Sequence, residues 1–413
     1  MAAVTDQQVR LRREVWNELV RSAGDRGDAY AQLLNLPDDP APLYDRIRAQ
    51  GPLSRSVLGT WVTASHQTAS TILRDRRFGV RQVSGEKAAE SIQFDNSMLG
   101  LDPPDHTRLR RLTIPTFSPR RIQSRRPAIQ RYCDDLVDRI LASGGRFNFM
   151  TAFAQQLPVQ VVGDLIGIPE RHRRTAYRLT RRMAHLVDGT ASAESAEDVG
   201  RAIGDMSAMF AEIVAERRAE PAEDLISDLL PAVDDGRLSM DELIPLCTFL
   251  SLAGVETTVN LIGNAVHTLL SHPEQWALLR EQPELAPGVV QETLRYDTPV
   301  QQYRRIVQEE LEIGGTLLPA DSEVAICAGG ANRDPEVYPE PARFDITRRS
   351  DRDVLSFSLG IHFCLGAALA RLEAEVALTT VAARLPQLRQ IGPVRRRGSF
   401  IIRGLSQLPV TAS

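Results

Sequence analysis

The sequence predicts a mainly α-helical protein with a minor β region. Residues 128–230 carry apolar side chains at helical spacing over most of their length. Met240–Leu270 is the longest apolar periodic stretch, and a helix of that length and character has to be buried. Residues 306–326 instead alternate in polarity and contain turns at Gly314-Gly315 and Pro319, which is typical of short strands.

Length and composition limit the possible class of protein. The chain has 413 residues, of which 43% are hydrophobic and 25% charged, and its formal net charge is −4. This composition is typical of a folded globular protein, and the net negative charge argues against general nucleic-acid binding. Because no linker, low-complexity tract or internal repeat divides the chain, we expect one domain over residues 1–413, with a polar lead-in at 1–38.

The four cysteines and the apolar runs indicate the cellular compartment. The cysteines form no C-x-x-C pair and no evident disulfide framework. Residues 1–26 are charged and contain no apolar signal core. The longest nearly apolar run, residues 243–255, is too short to span a bilayer. We therefore expect a cytoplasmic protein that does not associate with membranes.

Local signals predict the elements that precede the central stretch. Asp39 begins a helix with a proline in its first turn, and Gly51-Pro52 ends it. Residues 53–58 and 61–64 predict a short hairpin, followed by a helix over 66–74. Periodicity is lost over residues 78–100, where we expect either a loop that contacts a ligand or a variable surface loop.

A basic helix is predicted to begin after Pro103-Pro104, with Asp105 in its first turn. His106 and Arg110 are four residues apart and share a face. They form either a clamp for a carboxylate or an ordinary solvated basic face. The remaining arginines of this region form either a docking patch for an acidic protein or a solvated surface; they are Arg108, Arg111, Arg120, Arg121, Arg125 and Arg126.

Within the central apolar stretch lies Ala253-Gly-Val-Glu-Thr257, followed by Thr258. A buried helix normally avoids a glycine, an acid and two hydroxyls, because each weakens the helix or needs a polar partner. Ala253 and Thr257 share a face and would line a small groove, with Glu256 placed to relay protons. Taken alone, the segment is explained equally well by a close helix–helix contact at Gly254 with a back-bonded threonine.

Cys364 lies between a turn and a helix, in the segment Phe357-Ser-Leu-Gly-Ile-His-Phe-Cys-Leu-Gly366. The helix is predicted to continue to about Arg384. A thiolate at a helix start is stabilised by unpaired backbone N–H groups and by the helix dipole. Such a thiolate suits a soft metal such as haem iron, whereas a lone cysteine is more often a buried apolar residue.

These segments, taken together, resemble the cytochrome P-450 family. Phe357–Gly366 resembles its haem-binding loop, with Ser358 where that family most often has glycine. Ala253–Thr257 resembles its oxygen-activation motif, and Leu101–Leu112 resembles its C helix. The resemblance covers residues 40–410 and implies the mainly α cytochrome P-450 fold with a minor β-rich region.

The resemblance implies roles for individual residues. Cys364 would be the axial ligand of the iron of haem b, with Phe357 packed near its sulfur. Residues expected to hold the haem propionates are His106, Arg110, Arg305 and His362. Residues expected to line the cofactor or to let the backbone approach it are Ala253, Gly254, Gly360 and Gly366. Glu256 and Thr257 would deliver protons during cleavage of the O–O bond.

Three further residues would form a structural charge network. Glu292 and Arg295 lie three residues apart in a predicted helix over 289–296 and can pair. The resemblance adds Arg343, from the segment Pro339–Phe344. Breaking such a pair, if it is buried, costs about 3–5 kcal/mol because one charge is left without a partner.

The implied activity is that of a monooxygenase that inserts one atom of O₂ into a small organic molecule. Electrons would come from NAD(P)H through a ferredoxin-type protein bound at a basic face around Arg108 and Arg111. The Arg-rich, Lys-poor chain resembles enzymes that tailor polyketides and macrolides. The expected substrate contacts are Phe249, Leu250, Val300, Gln301, Ile401 and the 79–100 loop, with a mobile lid at Asp188–Ser195.

Two alternatives belong to other functional classes. A haem-thiolate peroxygenase would use hydrogen peroxide directly, but such enzymes usually replace the acid–alcohol pair, which is intact here as Glu256-Thr257. A relative that has lost haem and acts as a partner protein would not need Cys364, which is also intact.

Overall fold

The computed structural model of this chain describes residues 6–85, 97–183 and 193–412, with side chains described from residue 14 onward except at 193–196. The helices are α1 (Asp6–Asp25), α2 (Ala29–Leu34), α3 (Ala41–Arg48), α4 (His66–Arg74), α5 (Asp105–Thr113), α6 (Pro119–Gln123), α7 (Arg126–Ala142), α8 (Gln156–Ile166), α9 (Glu170–Met183), α10 (Ala193–Ala219), α11 (Leu225–Asp234), α12 (Met240–Ser271), α13 (Pro273–Glu281), α14 (Ala286–Tyr296), α15 (Ala328–Ala331) and α16 (Ala367–Arg384). The mainly α prediction is confirmed.

The strands are short. They are β1 (Ser54–Arg55), β2 (Trp61–Thr63), β3 (Phe78–Gly79), β4 (Arg146–Asn148), β5 (Tyr303–Val307), β6 (Leu311–Ile313), β7 (Thr316–Leu318), β8 (Glu323–Ile326), β9 (Arg389–Gln390), β10 (Arg395–Arg396), β11 (Leu405–Gln407) and β12 (Pro409–Thr411). The largest described sheet has the order β1-β2-β8-β5-β3. Its antiparallel β5–β8 pair aligns Arg305 with Val324 and thereby fixes the position of Arg305.

Helix α12 is the centre of the fold and packs against α8, α10, α14 and α16. It begins with a capping box between Ser239 and Glu242, which satisfies free N–H groups of the first turn. Among the described helices, α12 alone is long and apolar enough to cross a membrane. However, 78% of its apolar window is buried inside the protein, as in the core helix of a globular domain.

Near the C-terminus, β10 and β11 pair in a register that joins Arg396 to Leu405, so residues 397–404 form the loop between them. Residues 188–192 of the expected lid and residues 86–96 of the expected ligand-contacting loop lie outside the described residues.

Candidate active site

The loop that carries Cys364 is built from two short 3₁₀ turns, at Leu355–Phe357 and Gly360–His362. The Cys364 N–H donates to the Phe357 carbonyl at 2.8 Å, which closes the loop three residues before α16 begins. Of the four cysteines, all of them in the described residues, three are buried and Cys364 is partly accessible. Burial raises the pKa of the Cys364 thiol, while the Gly366 N–H and the charges of Arg110 and Arg371 oppose that rise.

The two glycines of the loop differ in how closely the rest of the chain packs against them. Gly360 has a φ of +68°, and a Cβ there would lie 2.3 Å from the Leu73 carbonyl oxygen. Glycine therefore lets the loop pack against the end of α4. Gly366 has an ordinary φ of −87°, and a Cβ there would meet no atom within 4 Å. Close approach to other parts of the chain therefore does not explain Gly366.

Four basic side chains converge beside this loop: His106, Arg110, Arg305 and His362. We call them the cationic cluster. The rings of His106 and His362 lie 4.4 Å apart between centroids. Arg110 Nη2 donates to the Phe363 carbonyl at 2.6 Å, which ties α5 to the residue before Cys364. The predicted His106–Arg110 pair on one face of α5 therefore reaches the cysteine loop.

The cationic cluster is short of anions. Arg305 is 6% exposed, and in the described part of the chain no carboxylate lies within ion-pair distance of it. Asp102 lies 4.0 Å from His362 Nε2, which is too long for a hydrogen bond. His106 Nδ1 and His362 Nε2 are buried without a hydrogen-bond partner among the described residues.

The pKa values of His106 and Arg305 reflect this burial of positive charge without anionic partners. Burial, then the charges of His362 and Arg110, lowers the pKa of His106 to about 4. Burial likewise lowers the pKa of Arg305 to about 10. Buried donors without acceptors fit a ligand that presents carboxylates, because such a ligand supplies both the missing charge and the missing acceptors.

The donor set also fits the haem group. The described residues hold no group of three or more His, Cys, Asp or Glu that could bind a bare metal ion. Cys364 provides one accessible thiol at a helix start, beside cations that lack carboxylate partners. Such a site suits a metal that is already bound within an organic group carrying two carboxylates. The arrangement is what a thiolate-ligated haem requires of a protein.

The middle of α12 presents a partly accessible stripe in an otherwise buried helix. Phe249, Ala253 and Thr257 recur every four residues and are partly accessible, whereas Leu250, Val255 and Glu256 are buried. The Thr257 hydroxyl donates to the Ala253 carbonyl at 2.8 Å, the back-bonding that bends helices. A Cβ on Gly254 would lie 3.0 Å from Val162, so Gly254 serves the packing of α8 on α12 and not the groove.

The Glu256 carboxylate is not open to solvent. It is 4% exposed and contacts the Arg397 guanidinium, which follows β10 in the loop toward β11. The C-terminal loop is further fixed on this side of the fold, because Asn264 Nδ2 donates to the Arg403 carbonyl at 3.2 Å. The contact between Glu256 and Arg397 is one that sequence analysis did not identify.

The structural charge network differs from the predicted one in its third member. Arg295 Nε and Nη2 each donate to Glu292 at 2.8 Å, and both side chains are buried. The Arg343 side chain is 59% exposed and contributes only its carbonyl, which accepts from Arg295. Arg348 takes the predicted place, with Nε 3.2 Å from Glu292 Oε1 and 14% exposure. The family resemblance indicated the neighbouring segment Pro339–Phe344 but not the side chain that turns inward.

Asn332 is a positioning residue that sequence analysis left unassigned. Its amide donates to the Leu294 carbonyl and the Ser356 hydroxyl, and its oxygen accepts from the Leu355 N–H at 2.7 Å. It therefore joins the end of α14 to the first turn of the cysteine loop. The signal was present in Ala331-Asn-Arg-Asp-Pro335, which resembles the family but carries no evident chemistry of its own.

The structure brings together the segments that contain three of the expected substrate contacts, Val300, Gln301 and Ile401. Val300 bridges Ile402, and the Gln301 N–H donates to the Ile401 carbonyl at 2.8 Å, so these segments do meet. The Gln301 side chain accepts from Tyr44 Oη and donates to the Thr298 carbonyl. Both polar ends of Gln301 are thus used inside the protein.

The arginines expected to form a basic docking face are partly neutralised. Arg108 pairs with Asp105 and Glu242, Arg121 pairs with Asp228, and Arg126 lies 3.4 Å from Glu375. Arg111 is exposed and has no ion-pair partner among the described residues. The free positive charge of this region is therefore smaller than the sequence suggests.

Comparison with known proteins identifies the family. The cytochrome P-450 family model matches residues 58–385. The chain is 38% identical over 385 residues to the monooxygenase PikC of Streptomyces venezuelae, covering 90% of this chain and 91% of that protein. It is 40% identical over 322 residues to the 6-deoxyerythronolide B hydroxylase of Saccharopolyspora erythraea, covering 77% and 78%.

Solved structures agree with the sequence comparison. The crystal structure of P450BioI, bound to an acyl carrier protein ligated with hexadec-9Z-enoic acid, superimposes with a TM-score of 0.84. It is 34% identical in sequence, and the match covers 92% of this chain and 99% of that one. The fold and the site thus define a haem-dependent oxygenase. The chain belongs to the cytochrome P-450 family and is a monooxygenase that uses haem iron and O₂.

Proposed function

We propose that this protein is a cytoplasmic monooxygenase that hydroxylates or epoxidises a polyketide or macrolide, and that Cys364 would hold the iron of its haem b. The observation that carries the proposal is the meeting of one accessible thiol with an anion-deficient cationic cluster. Arg110 connects the two, because it donates to the Phe363 carbonyl next to Cys364. The relative named 6-deoxyerythronolide B hydroxylase supports the substrate class.

On the proximal side, the chain's own residues hold and tune the thiolate. The Gly366 N–H and the charges of Arg110 and Arg371 stabilise the ionised sulfur. The Arg371 guanidinium lies 4.4 Å from the centroid of the Phe357 ring and keeps that ring in place beside the loop. His106, Arg110, Arg305 and His362 would bind the propionates through charge-assisted hydrogen bonds, each of about 1.5–3 kcal/mol.

On the opposite side of the haem site, residues of α12 would hold and transfer protons. When bound, haem supplies the activation of O₂. Thr257 holds its hydroxyl on the Ala253 carbonyl at 2.8 Å and can turn to pass a proton into the groove. Glu256, held by Arg397, would resupply that proton. Phe249, Leu250, Val300 and Ile401 would contact the substrate.

Electrons would reach the site from NAD(P)H through a ferredoxin-type protein. The proposed docking face includes Arg111, whose charge is not neutralised by an ion pair within the described residues, and Arg108, whose pairs with Asp105 and Glu242 would have to be shared with the partner.

The decisive measurement is the absorption spectrum of the reduced, CO-bound protein. The wild type reconstituted with haem should show the strongly red-shifted Soret band of a thiolate haem, and Cys364→Ser should lose it. Cys327→Ser is the matched control, because Cys327 is buried and should leave the band unchanged. Absence of the band from the wild type would refute the proposed function.

Thr257→Ala tests the distal half of the proposal. Removing the hydroxyl should uncouple electron consumption from product formation and release hydrogen peroxide, because proton delivery fails. Thr258→Ala is the control, since Thr258 bonds the Gly254 carbonyl at 3.0 Å and is buried. The assay compares NAD(P)H consumed, product formed and hydrogen peroxide released. Unchanged coupling in Thr257→Ala would contradict the role of Thr257.

A further inference from the structure

Ser358 occupies a backbone conformation that only glycine adopts readily. Its φ is +58° and its ψ is −172°, in a region that a side chain makes strained. Ser358 is also the residue at which the cysteine loop departs from the glycine usual in the family. Serine therefore adds strain where glycine would add none, and the strain needs a compensating interaction.

The hydroxyl of Ser358 provides such an interaction with the cationic cluster. Ser358 is 4% exposed, and its Oγ accepts from Arg305 Nη2 at 3.3 Å. The other terminal nitrogen of Arg305, Nη1, donates to the Arg304 carbonyl at 2.8 Å. The hydroxyl thus fixes one branch of a buried guanidinium for which the described residues offer no carboxylate.

A second observation concerns the hydroxyl proton. A serine hydroxyl carries one donor as well as its acceptor lone pairs. Ser358 Oγ accepts from Arg305, and within the described residues no acceptor takes its own proton. An available donor therefore lies directly beside an unpaired cation.

The backbone around Ser358 is held rigidly. Its N–H donates to the Leu355 carbonyl at 2.9 Å and lies 3.0 Å from Tyr303 Oη. The Tyr303 hydroxyl itself donates to the Leu355 carbonyl at 2.8 Å. Tyr303 and Arg305 both belong to β5, so that strand fixes the Ser358 backbone and the guanidinium that the Ser358 hydroxyl meets.

We infer that Ser358 is a positioning residue for the carboxylate held by Arg305: its hydroxyl orients the guanidinium and donates its own proton to the same haem propionate. This inference rests on the proposed haem site and names one further group in it. It predicts that the hydroxyl governs how the haem is held, whereas the strained backbone governs stability.

Two substitutions separate these effects. Ser358→Ala removes the hydroxyl and keeps a Cβ at positive φ. Ser358→Gly removes the hydroxyl and also relieves the strain. With holoprotein, both variants should transfer haem to excess apomyoglobin about 5- to 10-fold faster than the wild type, which is the size expected for the loss of one ordinary hydrogen bond. Both should shift the haem reduction potential to equally more negative values, because a propionate that loses a donor retains more charge.

Stability should behave differently. Ser358→Gly should melt at a higher temperature than Ser358→Ala, although both lose haem at similar rates. In an Arg305→Met background, Ser358→Ala should accelerate haem transfer less than it does in the wild type, because the hydroxyl then has no guanidinium to orient and can contribute only its own bond to the carboxylate. This double-variant comparison excludes a general structural effect.

The outcomes are distinguishable from failure of the proposed function. If the wild type forms the thiolate-haem band but Ser358→Gly retains haem and potential at wild-type values, the inference is wrong and the proposed function stands. An undiminished effect of Ser358→Ala in the Arg305→Met background would also overturn the inference. If the wild type binds no haem, both fail together.

Discussion

The charge network of Glu292, Arg295 and Arg348 and the cationic cluster of His106, Arg110, Arg305 and His362 are both buried and both rich in positive charge. In the network, every guanidinium meets the Glu292 carboxylate or backbone carbonyls. In the cluster, Arg305 has no carboxylate partner in the described part of the chain, and two imidazole nitrogens are unbonded. The charges of the network are paired within the chain, whereas the donors of the cationic cluster need acceptors from a ligand.

This difference gives the two regions opposite responses to mutation. Removing a charge from a satisfied network leaves a buried partner uncompensated and destabilises the fold. Removing a charge from an anion-deficient cluster relieves burial and repulsion in the ligand-free protein, and weakens the ligand complex instead. Buried charge is therefore evidence for a binding site when its partners are missing, and evidence for structure when they are present.

The largest expected effect is in the network. Glu292→Gln should lower the free energy of unfolding by about 3–5 kcal/mol, because it leaves two buried guanidinium groups without their carboxylate. Arg348→Met should cost less, about 1–3 kcal/mol, since Glu292 keeps Arg295. Arg343→Met is the matched control and should cost about 0–1 kcal/mol, because its side chain is 59% exposed. Chemical denaturation measures all three, and an Arg343→Met cost above that of Arg348→Met would contradict the revised network.

Arg305→Met should show the opposite pattern. We expect haem transfer to apomyoglobin to be about 10- to 100-fold faster, from the loss of about 1.5–3 kcal/mol of charge-assisted bonding. The free energy of unfolding of the ligand-free protein should stay the same or rise, since burial already disfavours the charged form of Arg305. Arg304→Met is the control, because Arg304 is exposed and pairs with Glu323. A stability loss in Arg305→Met as large as that of Glu292→Gln would show that the two regions do not differ.

The third expected effect is a dependence of stability on pH. The pKa of His106 is lowered to about 4 by burial and then by His362 and Arg110, whereas in the unfolded chain it is about 6.5. Between these values the unfolded state binds more protons. Stability from His106 is therefore fully present above about pH 6.5 and is lost as the pH falls toward 4.

Denaturation curves between pH 7 and pH 4 test this expectation. His106→Phe should make the acid-induced loss of stability shallower in the ligand-free protein, whereas His172→Phe, on α9, should not. Bound haem should also reduce the dependence on pH, because a propionate beside His106 favours the protonated ring. Identical slopes for His106→Phe and the wild type would contradict the electrostatic description of the cluster.

The sequence by itself determined the features that local chemistry encodes. The cysteine loop and the 253–257 segment are contiguous, so the sequence shows directly which residue types each segment contains and at what spacing. The fold class followed from periodicity, and the bounds of α12 and α16 agree closely with the predicted ones. His106 and Arg110 lie one helical turn apart, so their shared helix face was predictable from spacing, whereas their place beside the cysteine loop was implied only by the family resemblance.

Tertiary structure decided which distant side chains meet. Arg343 and Arg348 belong to the same segment, and only the path of the chain shows that Arg348 turns toward Glu292. The contact of Arg397 with Glu256 joins residues 141 positions apart (397 minus 256), which no local pattern encodes. The shortage of anions around Arg305 and the positive φ of Ser358 are likewise visible only after folding. Burial and backbone strain depend on everything packed around a residue, whereas a sequence motif reports only its neighbours along the chain.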